Sequence, residues 1–467
     1  MTNKVLIAIE NATFRKGGQT VFPDTDFELQ AGENIAVTGA NGAGKTTFLE
    51  LLQGQLVTVQ GEMRYTLDQQ QIAAVYFSDP TLRYENFYYQ QRYNSSETEG
   101  IITVRDFTEY GEITNCETGD TALFDALGID RLLDMEIIKL SNGQFKKMLI
   151  AKALTKKTSL LLLDNLYTGL DRQSRKYLSE TIETIASSGT SIVMTSEMGD
   201  VPEIINRVLA IENCRIGNIC SRTDFYPTQS PVAQHNLPPM PCPPEKTFEI
   251  AVHFDNVSIA YYGKTIVKEI NLTVRHGEKW ILAGPNGSGK TMLLSLIFAD
   301  NPQAYSNNII LFDRKRGTGE SIWDIKDKTG FVSPEMHLYQ RRNKTCREVI
   351  MNVLNENPYN RIAPTDSILH FIDNLFNYFR LANIADQPFA QVSTGQQSVV
   401  ILIRALAKNA PMLILDEPFQ GMDAGTVAAA KLLLEHYCHN RTLIFVSHIP
   451  EEIPEGITDF KWLNLNT

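Results

Sequence analysis

Two short stretches have the residue types and spacing to cradle phosphate groups: GANGAGKTT from Gly39 to Thr47 and GPNGSGKTM from Gly284 to Met292. In a GxxxxGK[ST] loop the glycines let successive backbone N–H groups turn toward one anion, at the start of a helix whose dipole favours negative charge. The lysine then neutralises the outer phosphate oxygens, and the hydroxyl residue that follows holds Mg²⁺. Gly39, Ala40, Asn41, Gly42, Ala43, Gly44, Lys45, Thr46 and Thr47 make up the first loop. Gly284, Pro285, Asn286, Gly287, Ser288, Gly289, Lys290, Thr291 and Met292 make up the second. A single match is compatible with a chance glycine turn. Two matched copies are not, and both halves are expected to bind a nucleotide such as ATP with Mg²⁺.

Four apolar residues run into Asp164 in LLLLDN and into Asp416 and Glu417 in MLILDE. Such a run reads as a buried strand that delivers one carboxylate, Asp164 or Asp416, to the Mg²⁺ shell beside Thr46 or Thr291. In the second copy it adds Glu417 to polarise an attacking water. An Asp-Glu pair after a strand is also an ordinary turn, but its place downstream of VSTGQ argues for the chemical reading. The segments LSNGQ (Ser141, Asn142, Gly143, Gln144) and VSTGQ (Ser393, Thr394, Gly395, Gln396) each precede a helix-like stretch, FKKMLIAKAL or QSVVILIRAL. Serine and glycine then sit at a helix N-terminus, where an anion is favoured. Taken alone, the same pattern is equally a helix N-cap.

These motifs recur in the same order at an offset of about 250 positions, so the chain is one unit written twice. Each glycine loop follows an apolar β-rich run (ENIAVTGA, EKWILAGP) and leads into an apolar helical pattern (TTFLELLQG, TMLLSLIFA), the strand, loop, helix order that the motif requires. Between the copies lies YPTQSPVAQHNLPPMPCPPEK, too rich in proline to propagate a helix or a sheet ladder. The expected architecture is α/β: two P-loop domains over 3–218 and 248–467, joined by a linker over 219–247.

The formal net charge of −11 argues against a protein that coats nucleic acid, which needs Lys and Arg to replace counterions. The opening MTNKVLIAIENATF does not read as a signal peptide. No stretch approaches the roughly 18 apolar residues of a membrane helix, so the chain by itself forms no channel. Six cysteines without a CxxC pair fit reduced thiols in a cytoplasmic protein.

Loops, aspartate strands and LSNGQ/VSTGQ segments together resemble ABC ATPases over nearly the whole chain outside the linker. The resemblance implies that the two domains pair within the chain, each ATP lying between one domain's glycine loop and the other's signature. The second-half site then uses Lys290, Thr291, Asp416, Glu417 and His448, closed by Ser141, Gly143 and Gln144. His448 ends TLIFVSH and matches the family's switch histidine, and Tyr261 sits where the family places its adenine-stacking aromatic. The first half departs at three positions: Asn165 stands for the glutamate, Glu197 for the histidine, and Lys16 lies near the aromatic's place. An amide is no general base, and loss of one typically costs about 10²- to 10⁴-fold in rate. One hydrolytic site and one that mainly holds nucleotide are therefore expected.

Neither half shows the glutamine by which transporters sense their membrane subunit. The relevant strands end in Ser78 and Asp79 and in Ser333 and Pro334, although Gln90 and Gln91 follow the first. The stretch from Asn301 to Gln340 resembles the ModF type of tandem ABC ATPase, which implies a molybdenum-transport link and peripheral association with a membrane permease. A tandem, membrane-free ABC protein of translation, stress response or nucleic-acid metabolism is the alternative, and its long charged linker is missing here. Arg314, Lys315 and Arg316 read as a solvated hairpin. The cluster Tyr84, Phe87, Tyr88, Tyr89 and Tyr93 with Arg83 and Arg92 reads as aromatic packing ahead of the signature.

Overall fold

The computed structural model describes residues 4–76, 102–108, 128–137, 140, 142–154, 158–167, 172–196, 202–224, 237–261, 264–284, 288–334, 336, 340, 343–359, 363–447, 450–457 and 459–465. These fall into two compact units, one ending at Asp224 and the other starting at Leu237. Ser141, Pro285, Asn286, Gly287, Glu197 and His448 lie outside the described residues, as do the aromatic cluster around Tyr84 and the Gln90–Gln91 pair.

In the first unit β1 (Val5–Lys16), β2 (Gln19–Gln30) and β4 (Val57–Tyr65) form an antiparallel sheet in the order β2-β1-β4. A second sheet joins β5 (Ile72–Tyr76), β6 (Leu160–Asp164), β7 (Ser191–Thr195), β3 (Asn34–Thr38), β8 (Arg207–Glu212) and β9 (Arg215–Ser221) in that order. It is parallel up to β8, and β9 returns antiparallel. β3, β6 and β7 are buried along their whole length, as strands covered on both faces must be, and the three middle residues of each are correspondingly apolar. Helices α1 (Lys45–Leu52), α2 (Asn142–Ala153) and α3 (Arg172–Ser187) belong to the same unit, with a short helical turn over Val104–Thr108.

The second unit repeats the plan. β10 (Ile250–Tyr261), β11 (Lys264–Arg275), β13 (Asn308–Leu311) and β14 (Arg314–Lys315) form the antiparallel sheet in the order β11-β10-β13-β14. β15 (Thr329–Val332), β16 (Met412–Asp416), β17 (Thr442–Val446), β12 (Lys279–Ala283) and β18 (Phe460–Asn464) form an all-parallel sheet in that order. Helix α4 (Lys290–Ile297) follows β12, and the short α5 (Ile322–Lys326) precedes β15. A helical part follows with α6 (Cys346–Met351), α7 (Asp366–Tyr378) and α8 (Thr394–Ala407), and α9 (Ala424–Tyr437) lies between β16 and β17. The face of α7 that carries Phe371, Ile372, Leu375 and Phe376 is buried in one core cluster with Val399, Leu402 and Leu406 of α8, and Thr365 caps its first turn.

β9 runs through Ser221, into the stretch read as linker, and the proline-rich residues from Leu237 onward lie against the second unit. There buried Arg441 donates to the Pro241 carbonyl at 3.3 Å, and Asn409 donates to that of Cys242 at 3.2 Å. In the basic hairpin only Arg314 and Lys315 are solvated. Arg316 turns inward and pairs with Glu320 at 2.6 Å, where burial would be too costly for an unpaired guanidinium.

Candidate nucleotide sites

In the first unit β3 ends at Thr38, and the chain passes through the glycine loop into α1. Lys45 leads that helix, and its ammonium arches back to the Gly39 and Ala40 carbonyls at 2.6 and 3.1 Å. The lysine is thereby set over the centre of its own loop. The Ala43 carbonyl accepts the Cys214 N–H at 2.7 Å, which ties the loop to the β8–β9 turn. Thr46 donates its hydroxyl to Asp164 Oδ2 at 2.8 Å, joining the helix to the end of β6. Asp164 is 1% exposed. Burial pushes its carboxyl above the usual range, while the Thr195 and Thr46 hydroxyls and the Lys45 ammonium pull the other way.

The second unit builds the same parts. Lys290 arches back to the Gly284 carbonyl at 2.7 Å, and the Thr291 hydroxyl faces Asp416 Oδ2 at 3.4 Å. Gly284 has φ 154°, and a Cβ there would lie 2.7 Å from both the Leu465 carbonyl and the Ser288 hydroxyl, so a side chain would fill the cradle. The Ser288 hydroxyl is buried with no hydrogen-bond partner among the described residues. A buried donor of this kind is costly unless satisfied, and a phosphate oxygen at the loop would satisfy it.

A hydroxyl beside a buried carboxylate, next to a phosphate loop, is a donor set suited to Mg²⁺, a hard cation that is usually held by few protein oxygens plus substrate phosphates. Thr46 with Asp164 and Thr291 with Asp416 fit that role. Among the described residues no group of three or more His, Cys, Asp or Glu could hold a metal unaided.

At the signature of the second unit, Ser393 caps α8. Its hydroxyl accepts the Gln396 N–H at 3.3 Å and the Gln396 side chain accepts the Ser393 N–H at 2.9 Å, a closed capping box. Thr394 opens the helix and Gly395 is buried within it. In the first unit α2 opens at Asn142, and Gln144 is half-buried; the side-chain surroundings of Asn142 and Gly143 lie outside the described residues. Thr47 and Met292 each stand third in their helices, α1 and α4, Met292 being packed against the core. Tyr261 ends β10, its side chain outside the described residues, and Lys16 forms an ion pair with Glu50 of α1.

Three residues that the motifs did not single out act on these sites. Thr195, at the end of β7, donates to Asp164 Oδ1 at 2.7 Å and accepts the Asn165 N–H at 2.8 Å. Lys146, buried on α2, donates to the Leu166 carbonyl at 2.8 Å and to that of Asn165 at 3.3 Å. Ser398, at the corresponding position of α8, reaches instead further along the segment after Asp416, to the Gln420 carbonyl at 2.7 Å. Their only signal in the sequence is a difference between the copies: Thr195 stands for Val446, and Lys146 for Ser398.

The ABC transporter family model matches the chain twice, over residues 22–168 and 267–420. The chain is 30% identical over 478 residues to the ABC transporter ATP-binding protein ModF of Escherichia coli, with 97% of this chain and 95% of ModF covered. It is 29% identical over 468 residues to an uncharacterized ABC transporter ATP-binding protein of Schizosaccharomyces pombe, with 96% of each covered. Among solved structures its fold is similar to one described as a model of ribosome-bound archaeal Pelota and ABCE1, with a TM-score of 0.61 and 16% identity, covering 94% of this chain and 74% of that one. No described helix is long and apolar enough to cross a membrane. Two phosphate loops, each closed by a lysine and joined to a buried aspartate, are thus matched by two copies of one family model, and the chain belongs to the ABC transporter family as an ATP hydrolase with tandem ABC ATPase domains.

Proposed function

We propose that this protein hydrolyses ATP mainly at the site built on its second unit, that its first unit mainly holds nucleotide, and that it energises or regulates a transport system from the cytoplasmic face. The observation that carries the catalytic part is the pair Glu417 and Asn165, which follow matching buried aspartates on matching strands. Glu417 supplies a carboxylate that can take a proton from water, and Asn165 does not. Thr291 and Asp416 would hold Mg²⁺ while Lys290 and the loop N–H groups bind phosphate. His448 is assigned to the γ-phosphate by resemblance. The full-length similarity to ModF supports the transport reading, with molybdate as candidate cargo.

A second reading is a membrane-free role of the translation type. It is favoured by Ser333 and Pro334, which follow β15 where the family's transporters carry a membrane-sensing glutamine. Crosslinking a Glu417→Gln, ATP-loaded form in cells separates the two. Recovery of an integral membrane protein supports transport, and co-sedimentation with ribosomes without any membrane partner overturns it.

A further inference from the structure

We propose that Thr195 is a positioning residue of the first unit's nucleotide site, fixing Asp164 and the backbone at Asn165 so that Mg²⁺-bound nucleotide is retained there. This rests on the reading of the first unit as a nucleotide holder and assigns that behaviour to a residue outside every motif.

The two units differ at this point in a way that can be followed bond by bond. β16 and β17 pair from Met412↔Thr442 to Asp416↔Val446, and the ladder continues past the strand end as the Glu417 N–H donates to the Val446 carbonyl at 2.9 Å. β6 and β7 pair only from Leu160↔Ser191 to Leu163↔Met194. One step short of the aspartate the ladder stops, and a side chain takes over. The Asn165 N–H goes to the Thr195 hydroxyl, and that hydroxyl goes to Asp164 Oδ1.

Asp164 then has a threonine on each oxygen, Thr195 on Oδ1 and Thr46 on Oδ2, at 2.7 and 2.8 Å. Thr195 and Asp164 are both 1% exposed, so the chain of bonds lies away from water, where it is strengthened and rigid. A carboxylate held at both oxygens keeps one orientation, and partners that orient a metal-binding group commonly change metal affinity about 10- to 100-fold when removed. In the second unit Val446 offers no side-chain donor at the corresponding place, and Thr291 stands 3.4 Å from Asp416. The hydroxyl of Thr195 thus orders the side of the site that grips Mg²⁺, while Asn165 leaves it without a base.

The test uses the full-length chain carrying Lys290→Ala, so that retained nucleotide reports on the first unit. The readouts are the release rate of a fluorescent ATP analogue and the Mg²⁺ concentration at half-retention. Thr195→Val is expected to raise the Mg²⁺ midpoint about 10- to 100-fold and to speed release, and Thr195→Ser, which keeps the hydroxyl, is expected to restore both. A folded Thr195→Val with an unchanged midpoint and release rate overturns the assignment. The reciprocal Val446→Thr, in a chain carrying Lys45→Ala, is expected to lower the second unit's midpoint; no change there overturns it as well, even where Thr195→Val does not fold. A Lys290→Ala parent that retains no nucleotide at all overturns instead the underlying reading of the first unit.

Discussion

Asn165 and Glu417 share a backbone conformation as well as a place: each follows its strand's aspartate in the left-handed region, at φ 53° and 45°. Asparagine enters that region readily, whereas a glutamate there is uncommon and strained. Strain of this kind persists where surrounding structure demands it, and the Glu417 N–H is held by the Val446 carbonyl. Glu417→Gln is expected to lower steady-state ATP turnover by about 10²- to 10⁴-fold with an unchanged melting temperature, while Asn165→Gln leaves turnover within about threefold of wild type. Turnover surviving Glu417→Gln would assign the base to another group.

The Gly284 cradle is expected to be intolerant of even one carbon. Its φ of 154° and the 2.7 Å approach to the Leu465 carbonyl mean that Gly284→Ala must move either the loop or the β18 end. The variant should lose ATP binding at the second unit and about 1–3 kcal/mol of stability, as read by nucleotide titration and chemical denaturation.

Lys146 is buried with its ammonium on two carbonyls of the segment after Asp164. Lys146→Met keeps the length but not the donors, and orphaned buried acceptors cost about 1–3 kcal/mol. Unfolding of the first unit should shift by that amount, whereas Ser398→Ala in the second unit, which removes one shorter link, should shift it less. Equal effects would mean that the lysine's second bond contributes nothing.

Lys408 offers a pH signature. Burial, with help from the nearby Arg404 guanidinium, lowers its pKa to about 7, and the opposing pull of the Asp327 carboxylate does not compensate. The unfolded chain keeps the proton to a much higher pH, so between these values it binds more protons than the folded chain, and stability rises with pH. The penalty is complete below about pH 7. Relative to Lys408→Met, wild type should gain about 2 kcal/mol between roughly pH 7 and pH 9 in denaturant melts, at about 1.4 kcal/mol per unit. A flat difference would show that Lys408 keeps its proton when folded.

The parts of this molecule written into its sequence are those that repeat. Lys45 and Lys290, Thr46 and Thr291, and Asp164 and Asp416 were legible because a fixed spacing forces strand, loop and helix together, and the structure brings each pair into reach. The continuous apolar runs LLLLD and MLILD likewise announced buried parallel strands. What escaped depends on single contacts between residues far apart in the chain. Nothing in the letters SIVMT says that its threonine ends the ladder early, nor does RKRG reveal that its last arginine folds inward onto Glu320. The Pro-rich stretch showed no periodicity, yet its end is part of the second unit because Arg441 and Asn409 supply donors for carbonyls that no helix or sheet satisfies.

The early end of the β6–β7 ladder also bears on how the two copies differ. Two copies that differed only at residue 165 would be interconverted by one substitution. Here the backbone that would carry a glutamate at position 165 hangs from the Thr195 side chain, not from the strand. A glutamate placed there would keep the φ that Glu417 has but hold its backbone N–H on a hydroxyl instead of on a strand carbonyl, so the two copies differ here by a pair of positions, 165 and 195, and not by one letter.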